Sequence, residues 1–78
     1  MGRAIEFTFK SGNTETASMS YGTFLFTVLP KFTYEEALAF PSSGVYTGPC
    51  MDKLYDLCME YAHMTDNDLT EVVSCRFC

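Results

Sequence analysis

Basic residues are scarce in this chain: five lysines and arginines stand against ten aspartates and glutamates, for a formal net charge of −5. Affinity for a phosphate backbone rests mainly on cationic side chains, so direct binding to nucleic acid is not expected. Histidine is scarcer still, with His63 the only one. A helical arc groups it with Asp56 and Glu60, away from Cys58, so no Cys and His dyad forms within that segment. Glycine-rich phosphate cradles are lacking, because "SGVYTGP" has neither the lysine nor the strand-to-helix context of a P-loop. Glu35 and Glu36 are explained by helix capping rather than by paired acid and base chemistry. These absences together predict a protein that is not an enzyme and needs no cofactor.

Long apolar runs are missing too. No stretch approaches the roughly 20 apolar residues that cross a bilayer, and "MGRAIEFTFK" lacks the apolar segment of a secretory signal. Glu6 occupies the place where a myristoylation signal wants Ser or Thr, and Arg76 the place where a prenylation box wants an aliphatic residue. The expectation is no membrane contact and a cytoplasmic, intracellular location.

What the chain does have is apolar mass, with seven Phe and five Tyr among its 78 residues. A single domain of this length buries only roughly 60% of the surface its unfolded form exposes, so these rings must supply much of the core. Any left outside would form a patch of the kind that marks a partner.

Ala4 to Lys10 alternates, with Ile5, Phe7 and Phe9 on one side, as a half-buried strand does. Gly12 and Asn13 suit a hairpin turn, after which Ala17, Met19 and Tyr21 are expected inward on a second strand. "TFLFTVLP" is apolar on both strand faces and reads as a central strand, with a buried helix over 20–29 as the competing assignment. Thr33 and Glu36 form a capping box that opens a short helix, and Pro41 stops it. A loop of Gly, Ser and Pro follows, with Val45 and Tyr46 at its centre. Leu54, Leu57, Cys58 and Tyr61 recur at helical spacing and predict the main amphipathic helix over 49–64. The last segment, 71–77, alternates again with Val73, Cys75 and Phe77 inward. The fold class is therefore α+β: a single compact domain over 1–78, in which an antiparallel sheet of three or four strands packs against one main helix, with a second short helix.

The thiols admit several chemistries. Cys58, His63, Cys75 and Cys78 are residue types that zinc prefers, and a zinc-stabilised small domain is one alternative reading. Against it, a strand sends Cys75 and Cys78 to opposite faces and pulls the pair apart. A redox motif would need its thiols at the start of a helix that stabilises a thiolate, and none is expected here. Cys58 and Cys75 are expected to be small apolar core residues, Cys50 and Cys78 peripheral, and no metal site is assigned.

Charge is where a function can be sought. Asp52, Asp56 and Glu60 recur at i, i+4 and i+8, so they stack along one helix face at a rise of about 6 Å each. Asp66 and Asp68 extend the acidity, and Tyr46 is the ring expected to join this surface. Such spacing approximates that of successive phosphates along a nucleic-acid strand. In its shortness and in Asp52, Asp56 and Glu60, the chain resembles in type the small acidic inhibitors of phages and mobile elements, the anti-CRISPR and anti-restriction proteins. That resemblance implies a viral protein acting inside an infected host, which occupies a basic, nucleic-acid-binding surface of a partner protein. A homodimeric structural module, closed through the two-faced "TFLFTVLP" strand, is the other alternative.

Overall fold

A computed structural model describes residues 2–62 and 71–78. Strands β1 (Gly2–Phe9) and β2 (Thr14–Ser20) form the hairpin that the alternation predicts. Its turn closes when Phe9 N donates to Asn13 O at 2.9 Å and Gly12 N to Phe9 O at 2.8 Å. Gly12 takes a φ of +94°, which costs glycine nothing and other residues about 1 kcal/mol or more.

Beyond β2 the chain turns helical. The stretch that alternation favours as a central strand is instead α1 (Tyr21–Thr23), which widens into a π-helical segment (Phe24–Val28) and closes in a 3-10 turn (Leu29–Lys31). Ser20 starts it, its Oγ accepting from Thr23 N at 3.1 Å. Phe24 and Val28, four apart, are buried, while Phe26 between them is 80% exposed. A strand apolar on both faces needs a layer on each side, which a two-layer domain of this size does not provide; a helix turns Phe24 and Val28 inward and needs only one. Tyr21, expected inward on β2, opens the helix instead and is 43% exposed.

The short helix α2 (Tyr34–Ala39) begins as the sequence implies: Thr33 Oγ1 accepts from Glu36 N at 3.1 Å and Glu36 Oε1 accepts from Thr33 N at 2.8 Å. Thr33→Ala removes one arm of that box and is expected to cost about 1 kcal/mol in a urea titration; an unchanged midpoint would mean that α2 is held by packing alone.

Within the stretch expected to be loop, Gly44–Tyr46 forms a third strand, β3, entered through Gly44 at a φ of +110°. The main helix α3 (Met51–Tyr61) follows, two residues later than Pro49 suggests, and the chain is extended again at Ala62. Strand β4 (Val72–Phe77) completes an antiparallel sheet of order β2-β1-β4-β3. Phe9 lies opposite Val72 while Thr8 lies opposite Ser74, so Val73 is the extra residue of a bulge. A bulge switches the face on which side chains emerge, and Val73, expected inward, is therefore 46% exposed.

One face of the sheet carries the core. Ile5, Phe7, Phe9, Ala17, Cys75 and Phe77 are buried there, under Leu54 and Cys58 of α3 and Phe24 and Val28 of the π segment. Tyr55 stands edge-on to Phe7 at 5.1 Å and to Phe9 at 5.5 Å. The opposite face carries mostly polar side chains beside exposed Val45, and Arg76 pairs across it with Glu6 at 3.5 Å.

Candidate functional site

Asp52, Asp56 and Glu60 all lie exposed on α3, whose inward residues Leu54 and Cys58 are fixed on the sheet. Burial of that inward stripe forces the acids outward, because a helix repeats every 3.6 residues. Among the described residues no cation forms an ion pair with any of them, and the ion pair there is between Arg76 and Glu6. Their neighbour Lys53 is drawn away, its Nζ 4.8 Å from the centre of the Phe32 ring.

That contact brings α2 to the head of α3. The Cys50 thiol donates to Glu36 Oε2 at 3.5 Å, so Glu36 and its exposed neighbour Glu35 extend the acidic surface toward Asp52. The Thr33 backbone N–H, followed by the Cys50 thiol, holds the Glu36 carboxyl below its usual range; desolvation opposes them, and Lys53 acts in the lowering direction. Capping explained both glutamates in the sequence. Their second role depends on how two helices dock, which no local spacing encodes.

Tyr46 does not belong to this surface. Only 7% exposed, it pairs with Cys75 across β3 and β4, meets Phe40 edge-on at 4.9 Å, and accepts a hydrogen bond from Cys50 N at 3.3 Å. Its task is to pin the start of α3 to the sheet. Exposed rings lie at Tyr34, 78% exposed in the turn that carries Glu35 and Glu36, and at Tyr61 beside Glu60. Asp66 and Asp68 lie outside the described residues, as does His63.

Among the thiols, Cys58 and Cys75 are buried as expected, but Cys50 is buried too, beneath Tyr46 and Glu36. Cys75 Sγ faces Tyr46 O at 3.8 Å, and Cys78 is exposed. Among the described residues no group of three or more metal-ligating side chains is assembled. Burial, and next the neighbouring Cys75, pushes the Cys58 thiol up to about 12, and burial pushes Cys75 up to about 11. Both are protonated, unreactive core groups at neutral pH.

A depression of about 200 Å³ opens between the 21–31 helix and α2, with Phe24, Leu25, Leu29, Phe40 and Pro41 in its wall. Arg3 lies at its base, donating to Ser42 O at 3.0 Å and to Pro41 O at 3.1 Å, with its guanidinium 4.7 Å from the centre of the Phe77 ring. These contacts tie the chain after α2 to the sheet. Among the described residues its lining holds no carboxylate, imidazole or thiol, and its polar side chains are Arg3, Tyr21 and Ser42. No helix among the described residues is long and apolar enough to cross a membrane. Comparison with protein-family models, with curated proteins and with solved structures finds no match.

Proposed function

We propose that the chain is a non-enzymatic protein-binding domain, which docks the acidic face of α3 and the first turn of α2 onto a basic surface that a partner uses to hold nucleic acid. The observation that carries this reading is the line of Asp52, Asp56 and Glu60, exposed along α3 and without an ion pair among the described residues. Carboxylates at i and i+4 repel one another by a few tenths of a kcal/mol, a cost that a merely solvated face would shed by placing a lysine between them. Here Lys53 is turned onto Phe32 instead. Arg and Lys on a partner would convert the repulsion into charge-assisted hydrogen bonds, with Tyr34 as an aromatic anchor at one end. Association of this kind is steered by charge and weakens as salt is added.

The test is affinity capture from the native cell with the wild-type chain and with Asp52→Lys/Asp56→Lys as baits. Both substitutions are on exposed positions, so the fold should survive, as circular dichroism will report. The wild type is expected to retain a nucleic-acid-binding protein, to compete with that protein's nucleic acid, and to lose it at high salt; the double variant should retain at least about tenfold less. Equal retention by both baits would discard the charged-surface mechanism.

A further inference from the structure

The sheet has two edges of unequal kind. One is β3, only three residues long; the other is β2, with seven. The bond from Phe9 N to Asn13 O marks that pair as hydrogen-bonded, and the regular register of the hairpin then makes Phe7 with Glu15, Ile5 with Ala17 and Arg3 with Met19 the others. The intervening residues Thr14, Thr16 and Ser18 therefore turn their own N–H and C=O groups to the free edge, and all three are exposed.

Among the described residues nothing blunts that edge. Its sequence, TETASMS, has no proline and no lysine, and its pairing with β1 shows no bulge. Its one charge, Glu15, is buried on the inner face, where Oε1 accepts from Tyr55 Oη at 2.8 Å. Open, regular, uncharged edges of this length are templates for another strand.

We infer that the added strand is β2 of a second copy, paired antiparallel about a two-fold axis at Ala17, so that two four-stranded sheets join into one of eight. The choice of occupant rests on charge and register. In a chain of net charge −5, most self-contacts would bring carboxylates together, as apposed α3 faces would. Along β2 the edge residues are all hydroxylic, and two copies meet there without like charges opposed. Pairing about Ala17 sets Thr16 against the partner's Ser18 and Ser18 against the partner's Thr16, cross-strand hydroxyl pairs that favour association. The edge-facing residues are all even-numbered, so the same groups that donate also accept and the ladder closes on itself.

Sedimentation equilibrium of the full chain over the micromolar range tests this, with hydrogen exchange of the Thr16 and Ser18 amides as a second readout. A reversible dimer is expected, in which those two amides gain protection as concentration rises. Ser18→Pro removes an N–H that the hairpin does not use, so the monomer should fold while dimerisation weakens at least about tenfold. Thr16→Lys puts a charge on the edge without touching the backbone, and serves if the proline variant loses its circular dichroism. Asp52→Lys/Asp56→Lys should dimerise at least as well as the wild type, which separates this surface from the acidic one. A wild type that stays monomeric throughout overturns the inference, even if a foreign extended peptide binds the edge; so does a dimer that both edge variants leave intact.

Discussion

Taking the chain from about pH 9 to about pH 11 is expected to remove on the order of 4 to 5 kcal/mol of stability through two thiols alone. Unfolded thiols titrate near 9, whereas Cys58 holds its proton to about 12 and Cys75 to about 11. Below the unfolded value both states are protonated, and the thiols add no pH dependence. Above it the unfolded chain sheds protons that the folded one keeps, so stability falls by up to about 1.4 kcal/mol per pH unit for each thiol until the folded group also ionises. Burial raises the Tyr46 hydroxyl too, which acts in the same direction. The loss is large against the total of roughly 4 to 12 kcal/mol expected for a domain of this length. Urea titrations in reductant, at steps from about pH 8 to about pH 11, measure it. Cys58→Ala/Cys75→Ala will be less stable at neutral pH, because it opens space in the core, but its stability should fall much less steeply above pH 9. Parallel curves for the two proteins would show that the thiols ionise as freely in the folded state as in the unfolded one.

Much of the fold was legible in the sequence because it is written locally. The alternation of β1 and β2, the positive φ at Gly12, the box of Thr33 and Glu36, and the pairing of Leu54 with Cys58 each depend on residues within one turn or one pleat of each other. The segment 21–31 was ambiguous because a run apolar on every side has no period to read. Three residues are too few to display one, so β3 looked like loop. Val73 alternates correctly with Cys75 and Phe77, yet is displaced by a bulge that belongs to the pairing with β1 and leaves no mark on its own strand. The candidate surface divides in the same way. Asp52, Asp56 and Glu60 follow from helical spacing, while Glu35, Glu36 and Tyr34 join them only because Cys50 meets Glu36 and Lys53 meets Phe32. Local spacing places Tyr46 in an exposed loop, whereas it ends β3 and is buried by Phe40, the start of α3 and β4.

That buried ring makes Gly48 the glycine least able to accept a side chain. A Cβ there would overlap the Tyr46 hydroxyl and Cζ, and would lie 2.7 Å from Cε1, well inside contact distance. The ring has little room to swing away, since Phe40 meets it edge-on at 4.9 Å and β3 is held by pairing with β4. Gly48→Ala must then displace the ring or the backbone that leads into α3, and either movement takes the Tyr46 hydroxyl from Cys50 N. Overpacking costs about 1 to 3 kcal/mol and a buried unpaired N–H a further 1 to 3, so the variant is expected to lose about 3 kcal/mol or more. Reduced freedom of the unfolded chain works the other way, but only by about 0.4 to 1 kcal/mol. Gly22→Ala isolates that opposing effect: its Cβ would meet nothing nearer than Ser20 Oγ at 4.0 Å, so it should be neutral or slightly stabilising. Tyr46→Leu, added to Gly48→Ala, makes room for the new methyl and should cost less than the two single losses summed, the deficit measuring the clash. The consequence reaches function through position, because the chain after Gly48 fixes where α3 begins and hence how Asp52 stands to Glu36. Equal unfolding midpoints for Gly48→Ala and the wild type would mean that this entry to α3 yields freely, and that the acidic surface is not rigidly assembled.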